Sequence, residues 1–344
     1  MYYKIVSIIN SFVYDLSNTN SLSNTNSLSN TNSLSNTNFL SNTNSLSNTN
    51  SLLLIYKFKS YTIQIETILL YKTYTNIIDL NCANSIITII PKELIHLKKL
   101  NITNTKIKVI SKNLINLTEL YASRSYLTKL SKKFKNLKIL FINNTKIVKL
   151  KYYKNLENLK CNNTVINTII NYSNLNFLIC NDTLINNLNN NLNLNNLIHL
   201  NCSNTDIRDL PLQLNNVLYL DISNTLITNL LYRNFINLEI LICNNTNLKK
   251  INKSLLKLKI LSINFNTKIT KIPSILKNLE YLSINNTTKI KKLSKKFTNL
   301  KYISCENSNL KLIPIIYFKL YYLNIINTDI IYTVFNDSLV FYYY

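Results

Sequence analysis

Side chains that could perform catalysis or bind a metal are scarce in this sequence. Its 344 residues include six cysteines, two histidines and fifteen carboxylates, and they include no glycine. Without glycine, the usual phosphate-binding loop, dinucleotide-binding fingerprint, calcium-binding loop and nucleophile elbow cannot form, because each needs backbone that approaches a ligand closely or takes a positive φ. We therefore expect no catalytic residue, no metal site, no cofactor and no small-molecule substrate, and we predict that the protein is not an enzyme.

The cysteines are the most versatile of these residues, but their spacing contains no C-x-x-C pair of the kind that binds zinc or carries redox chemistry. Each cysteine follows an apolar anchor residue by two places: Cys82, Cys161, Cys180, Cys202, Cys243 and Cys305. Three of them fall in consecutive repeats, at distances that a disulfide could accept. We interpret all six as small apolar core residues. Unpaired cysteines in turn predict a reducing, intracellular and cytoplasmic location.

The anchors belong to a repeated pattern, L-x-x-L-x-[C/I]-x-N-T-x-I-x-x-[L/I]-P, in which the second leucine is the anchor. Successive anchors are 19 to 22 residues apart. A unit of this length cannot bury its own apolar face, so stacked units must share one continuous core. All four prolines also share one place in the pattern: Pro91, Pro211, Pro273 and Pro314. The anchors are Leu80, Leu100, Leu120, Leu140, Leu159, Leu178, Leu200, Leu220, Leu241, Leu261, Leu282, Ile303 and Leu323.

The pattern resembles that of the leucine-rich-repeat family, most clearly in LNCSNTDIRDLP at 200–211 and LDISNTLITNL at 220–230. The resemblance covers residues 77–333. It implies an α/β solenoid of the horseshoe type, with one parallel sheet of about thirteen strands on the concave face and short turns or 3-10 segments on the convex face. It also implies a scaffold that binds a protein partner. The composition is similar to that of intracellular repeat proteins from AT-rich large DNA viruses and protists.

One place in the repeat departs from the family's pattern. Five residues after the anchor, where the family has a buried asparagine, this sequence has serine or threonine, as at Thr205 and Thr225. Asparagine stands one place earlier, as at Asn204 and Asn224. We expect the hydroxyls to cap backbone groups of the turn, and the asparagines to supply the left-handed conformation in a chain without glycine. The sequence leaves open which of the two is buried.

The two ends of the chain lack the pattern. Residues 17–52 are six copies of S-N-T-N-S-L, with Phe39 in place of one serine. One apolar residue in six cannot offset chain entropy, so we predict disorder, with a small β-helical coil as the alternative. Residues 53–76 and 334–344 are predicted to cap the exposed ends of the core. Residues 1–16 make a poor signal peptide, and no apolar stretch reaches the roughly 20 residues that span a bilayer.

A row of aromatic and aliphatic side chains marks the predicted concave face. Side chains alternate along a strand, so residues on either side of an anchor point away from the core. Aromatic residues are unusual on a solvated sheet, and tyrosine is favoured in binding sites. The alternative is that AT-rich codons supply tyrosine and isoleucine without a function. His199 is interpreted as one more surface contact. The predicted partner-binding residues are Tyr121, Phe141, Phe177, His199, Tyr219, Tyr281, Tyr302 and Tyr322.

The formal net charge of +24 favours an acidic partner, although AT-rich codons also explain the lysine content. The lysines are predicted on the turns and the convex side, away from the aromatic row. This separation disfavours single-stranded nucleic acid, which binds where basic and aromatic residues share one groove. Electrostatic binding of nucleic acid or an anionic membrane through the lysine-rich turns is nevertheless the alternative function. These lysines are Lys106, Lys108, Lys129, Lys132, Lys133, Lys146, Lys149, Lys249, Lys250, Lys291, Lys292, Lys295 and Lys296.

Overall fold

Short parallel strands form the framework of this protein. The computed structural model describes residues 55–57, 77–188, 193–212, 214–230, 235–330 and 340–342, all within the unit that spans residues 53–344. Fifteen strands of three residues each pair in parallel, in the order of the sequence, in one sheet. They are β1 Ile55–Lys57, β2 Asp79–Asn81, β3 Lys99–Asn101, β4 Glu119–Tyr121, β5 Ile139–Phe141, β6 Asn158–Lys160, β7 Phe177–Ile179, β8 His199–Asn201, β9 Tyr219–Asp221, β10 Ile240–Ile242, β11 Ile260–Ser262, β12 Tyr281–Ser283, β13 Tyr302–Ser304, β14 Tyr322–Asn324 and β15 Val340–Tyr342.

The register of the sheet confirms the predicted pattern. The thirteen anchors are the central residues of β2 to β14, and each anchor pairs with the anchor of the next repeat, as Leu220 does with Leu241. Equivalent residues of successive repeats therefore form columns that run along the stack. Neighbouring members of a column are about 4.8 Å apart, since that is the distance between paired strands.

One continuous core runs beneath the sheet. The anchors, the apolar residues three places before them and those seven or eight places after them are buried, except for the half-buried Ile87, and most of them are buried completely. All six cysteines are buried in this core and unpaired, as predicted. Burial raises the pKa of the Cys161 thiol to about 12, so the thiolate that would react with an oxidant or bind a metal is disfavoured. The cellular location stays a prediction.

The turn that follows each strand contains a left-handed position, which asparagine usually occupies in this chain without glycine. All thirteen residues four places after an anchor have a left-handed backbone, with φ between 50° and 60°, and ten of them are asparagine. Asparagine tolerates this conformation better than other residues with a side chain. In ten of the thirteen repeats the next residue is a serine or threonine whose hydroxyl, on a buried or half-buried side chain, donates to the carbonyl three residues back, as Thr205 does to Cys202 at 2.6 Å. The hydroxyl is thus the buried group and the asparagine the exposed one, which answers the question that the sequence left open.

The repeat of β11 has asparagine at the buried position instead. Phe265 occupies the left-handed position with φ of 58°, and 58% of its surface is exposed. Asn266 then takes the buried position that the family usually gives to asparagine, and its exposure is 0%. Its amide nitrogen donates to the carbonyls of Thr246 and Leu248 at 3.2 and 3.4 Å. Its carbonyl oxygen accepts the backbone N–H groups of Lys268 and Ile269, both at 2.9 Å.

The convex side, made by residues 11 to 16 places after the anchors, consists of turns. Leu97 and Leu117 donate their backbone N–H groups to the third residue back, at 3.1 and 3.4 Å, so the turns are tight but do not continue as helices. Asparagine side chains join these turns, as where Asn216 donates to the carbonyl of Asn195 at 2.7 Å. The predicted short convex segments are confirmed. No helix long and apolar enough to cross a bilayer occurs in the described ranges.

Strands β1 and β15 extend the sheet beyond the thirteen predicted strands, by pairing with β2 and β14. The sequence did not predict them because neither carries the repeat pattern around it. The rest of the two predicted caps lies outside the described residues. So do residues 1–16 and the hexad tract at 17–52, and these boundaries stay predictions.

Candidate functional site

The strand face consists of the side chains one place before, one place after and three places after the anchors. Two stacks of three rings lie on it. Phe177, His199 and Tyr219 of β7 to β9 stack with ring centroids 4.1 Å apart at both contacts and interplanar angles of 12° and 7°. The strand spacing of about 4.8 Å places rings of one column at stacking distance. Because these centroids are closer than the strands, the side chains of this face converge, as they do on the inner side of a curved sheet.

The second stack lies in the C-terminal repeats. Tyr281, Tyr302 and Tyr322 of β12 to β14 have ring centroids 3.9 and 4.1 Å apart and interplanar angles of 8° and 6°. Ile240 and Ile260 occupy the same column between the two stacks, and both are buried. One apolar row therefore runs without interruption from β7 to β14.

A third group joins the first stack from the N-terminal side. Tyr121 and Phe141 of β4 and β5 meet edge to face, with centroids 5.1 Å apart and an angle of 88°. The Lys160 ammonium lies 4.5 Å from the Phe141 ring centroid and 5.3 Å from that of Phe177. The structure therefore brings all eight predicted residues onto one face. It adds Lys160, which the sequence could have indicated through its position between two aromatic residues in neighbouring columns.

The expectation that these side chains are exposed is wrong for three of them. The exposed fractions of His199, Tyr219 and Tyr302 are 6%, 5% and 8%. Tyr121, Phe141, Phe177, Tyr281 and Tyr322 are half-buried. The physical reason is that each ring covers the faces of its neighbours, so that solvent reaches mainly the ring edges. The row is thus a rigid and partly buried surface.

His199 is not the surface contact that the sequence predicted, because it is enclosed between Phe177 and Tyr219. Burial lowers the pKa of its imidazole to about 3, and the positive charge of Lys160 acts in the same direction. The ring is therefore neutral at physiological pH and serves as an aromatic member of the stack. Among the described residues no three His, Cys, Asp or Glu side chains are grouped as metal ligands.

A polar ladder, which sequence reasoning missed, runs beside the tyrosine stack. The side-chain oxygen of Asn264 accepts the Ser283 hydroxyl at 2.8 Å and the backbone N–H of Asn285 at 2.7 Å. Asn285 repeats the arrangement with Ser304 and Glu306 of the next repeat, at 2.8 and 2.9 Å. The signal in the sequence is the recurrence of serine and asparagine in two strand-face columns. The ladder uses its hydrogen-bonding groups within the protein and fixes the spacing of the repeats.

Charged residues two places before the anchors form the border of the strand face. In the repeats of β10 to β13 they alternate in sign, and the salt bridges Glu239–Lys259 and Glu280–Lys301 measure 2.8 and 2.6 Å. An open cleft of about 470 Å³ lies here, lined by these two glutamates, Lys257, Lys259, Asn278 and Asn299. Opposite charges neutralise one another around the cleft, so it offers no preference for an anion or a cation.

The other side of each repeat has a different surface. All thirteen lysines predicted on the turns and the convex side are exposed. The large apolar side chains that are most exposed, such as Ile86 at 72% and Phe318 at 73%, also lie outside the strand face. The basic and exposed apolar surface is therefore separate from the aromatic row, as the sequence predicted for the lysines.

Comparison with known proteins identifies the fold. No family model and no curated protein sequence matches the chain. Among solved structures, an internalin (InlF) of Listeria monocytogenes is 21% identical, with a TM-score of 0.69 over 77% of this chain and 86% of that one. The functional domain of InlJ from the same organism, which includes a cysteine ladder, is 24% identical, with a TM-score of 0.65 over 74% of this chain and 64% of that one.

A third similar structure is the leucine-rich-repeat ectodomain of the plant membrane receptor kinase GASSHO1/SCHENGEN3 from Arabidopsis thaliana, solved in complex with Casparian strip integrity factor 2. It is 19% identical, with a TM-score of 0.58 over 72% of this chain and 36% of that one. This chain thus spans less than two thirds of the InlJ domain and of the receptor ectodomain. With the register of the strands, these likenesses show that the described part of the chain has the leucine-rich-repeat fold.

Proposed function

We propose that this protein is a non-enzymatic scaffold that binds a protein partner on the strand face. The observation that carries the proposal is the uninterrupted row of aromatic and aliphatic side chains from β7 to β14. Its rings are held in place by their neighbours, so little side-chain entropy remains to be lost on binding. Tyrosine edges and hydroxyls give such a surface both apolar contact and hydrogen-bonding capacity.

The fold supports the same conclusion. A repeat solenoid offers an extended surface that suits a macromolecule better than a small substrate. The similar ectodomain of the Arabidopsis receptor was solved in complex with Casparian strip integrity factor 2. Fold alone does not determine function, so the proposal depends on the row of side chains. The relationship to viral or protist repeat proteins and the intracellular location are parts of this proposal.

The test is capture of partners by the full chain from a lysate of the source organism at high salt, with quantification by mass spectrometry. The triple variant Tyr281→Ala, Tyr302→Ala, Tyr322→Ala should lose a discrete protein that the wild type retains. The control variant Tyr126→Ala, Tyr152→Ala removes exposed tyrosines outside the strand face and should retain that protein.

Folding of the variants must be checked, because the three tyrosines also stabilise one another. The triple variant with phenylalanine at positions 281, 302 and 322 keeps the stacked rings and removes only the hydroxyls. It should retain the partner with at most a roughly tenfold loss of affinity. Equal retention by the wild type and by a folded triple alanine variant would show that the strand face is not the binding surface.

A further inference from the structure

We propose that the lysine-rich turn surface made by residues 247–251, 267–272 and 288–293, together with Phe265, binds an anionic lipid surface. This surface is separate from the strand face, so the proposal goes beyond the scaffold function and does not depend on it. It consists of residues six to ten places after the anchor of β10 and six to eleven places after those of β11 and β12, and its exposed lysines include Lys249, Lys268, Lys271, Lys289, Lys291 and Lys292.

These lysines form a dense array. Residues 247–251, 267–272 and 288–293 contain no acidic residue, and none of the six ammonium groups forms a salt bridge within the described residues. Backbone hydrogen bonds keep the turns aligned, as where the N–H of Lys311 donates to the carbonyl of Lys291 at 3.2 Å. Lysines in one column recur about every 5 Å and repel one another. A surface that carries many anions relieves this repulsion at several lysines together.

The acidic residues nearby do not neutralise the array. Residues 239–319 contain sixteen lysines and three acidic residues. Two of the three, Glu239 and Glu280, are paired with Lys259 and Lys301 at the border of the strand face. The excess positive charge of these repeats therefore lies on the turns and the convex side.

Phe265 provides a second and independent observation. It stands where ten of the thirteen repeats have asparagine, in a left-handed conformation that is unfavourable for a bulky side chain, and it is 58% exposed. Strained backbone positions of this kind cluster at functional sites. An exposed aromatic ring beside lysines has the composition of interfacial membrane-binding surfaces, in which the ring enters the headgroup region while the ammonium groups contact anionic headgroups. Leu312, 46% exposed, follows Lys292 in the same column and extends the apolar part.

The surface fits lipid better than nucleic acid. Single-stranded nucleic acid is bound by aromatic faces on which bases stack. The aromatic faces on the strand face cover one another and lie apart from the lysines. Among the lysines themselves, the other exposed side chains are small, polar or aliphatic, such as Thr270 and Leu312. Phe265 is a single exposed ring, whereas single strands are bound by several rings on which successive bases stack. The surface therefore suits contact with a membrane better.

The test is sedimentation of the full chain with vesicles of phosphatidylcholine alone, or with about one third phosphatidylserine. We expect binding only to the anionic vesicles, and a fall in binding as salt rises from about 50 to about 300 mM. The variant Lys249→Glu, Lys271→Glu, Lys291→Glu should bind at least roughly 100-fold more weakly. The matched control Lys253→Glu, Lys277→Glu, Lys295→Glu changes the net charge equally, at exposed convex positions of the same repeats, and should bind nearly as well as the wild type.

Phe265→Asn separates binding from folding. It gives this repeat the residue of its neighbours, which tolerates the left-handed backbone better than phenylalanine does, so the melting temperature should rise while vesicle binding falls roughly tenfold. The strand-face variant Tyr281→Ala, Tyr302→Ala, Tyr322→Ala should bind vesicles like the wild type, which distinguishes this proposal from the scaffold function. Equal binding to neutral vesicles, equal losses in the two lysine variants, or retention of single-stranded RNA without vesicle binding would each overturn the proposal.

Discussion

The strand face and the turn surface belong to the same repeats, yet their side chains are partnered in opposite ways. On the strand face, Tyr302 stacks between Tyr281 and Tyr322, and asparagine accepts hydrogen bonds from the next repeat. On the turn surface, lysines such as Lys271 and Lys292 stand in one column without salt bridges among the described residues. Because the repeats are in register, each residue lies beside the equivalent residue of the next repeat. Whether two side chains of the same type attract or repel one another therefore decides whether a column stabilises the stack.

Residues that bind copies of themselves stabilise such a stack. Leucine packs on leucine, tyrosine stacks on tyrosine, and asparagine both donates to and accepts from asparagine, as Asn224 does between Asn204 and Asn245. Lysine cannot pair with lysine, so a basic column is stable only when it is solvated, alternates with glutamate or meets an anion. From β10 to β13 the border column alternates in sign, whereas the turn column of Lys250, Lys271 and Lys292 does not.

The largest expected loss of stability follows from replacing Asn266, whose buried side chain hydrogen-bonds to four backbone groups. Asn266→Ala should lower the free energy of unfolding by about 3 kcal/mol, because it leaves two buried carbonyls and two backbone N–H groups without their partner. Urea denaturation measures the loss. The matched variant Thr225→Ala removes a single hydroxyl bond to the Ile222 carbonyl and should cost about 1 kcal/mol. Equal losses would mean that the asparagine adds nothing to the usual turn.

A smaller effect concerns His199 in the aromatic column. Its pKa is lowered from 6.5 to about 3 by burial, so below about pH 6.5 the unfolded chain binds a proton that the folded chain does not. Stability should therefore fall as pH falls, by about 2 kcal/mol between about pH 6.5 and about pH 4.5. His199→Phe keeps a ring between Phe177 and Tyr219 and should remove this part of the pH dependence. Burial raises the pKa of Asp221, and that contribution remains in both proteins, so their difference reports on His199. Parallel stability curves would contradict the burial of the imidazole.

The sequence predicts which residues share a column better than it predicts how the side chains of one column bury one another. The apolar period fixed the anchors because every repeat must bury leucine at the same places, and the register of β2 to β14 follows directly. The burial of His199 depends on the rings of Phe177 and Tyr219, which are 22 and 20 residues away in the sequence. It can be inferred only after the strand spacing is applied to each column.

Two other features required more than the apolar period. At positions 265 and 266 the sequence has phenylalanine and asparagine where most repeats have asparagine and then threonine or serine. These are polar positions of the repeat, and the spacing of the apolar anchors gives no information about them. The central residues of β1 and β15, Tyr56 and Phe341, lie 24 and 18 residues from the neighbouring anchors Leu80 and Leu323. Both spacings fall outside the 19 to 22 residues of the repeat, so the pattern of anchors could not predict either strand.

The smallest expected change in stability concerns repulsion between lysines of one turn column. Lys271 stands between Lys250 and Lys292, which occupy the equivalent place of the neighbouring repeats. Lys271→Glu would make this column alternate in sign like the border column, so it should raise the free energy of unfolding by about 0.5 kcal/mol at low salt. Salt screens exposed charges, so the gain should vanish near 1 M salt, where the screening length is about 3 Å. Lys253→Glu, at an exposed convex position, is the matched control for the change in net charge. If it stabilises the protein as much, the gain comes from the lower net charge of the whole chain and not from the column.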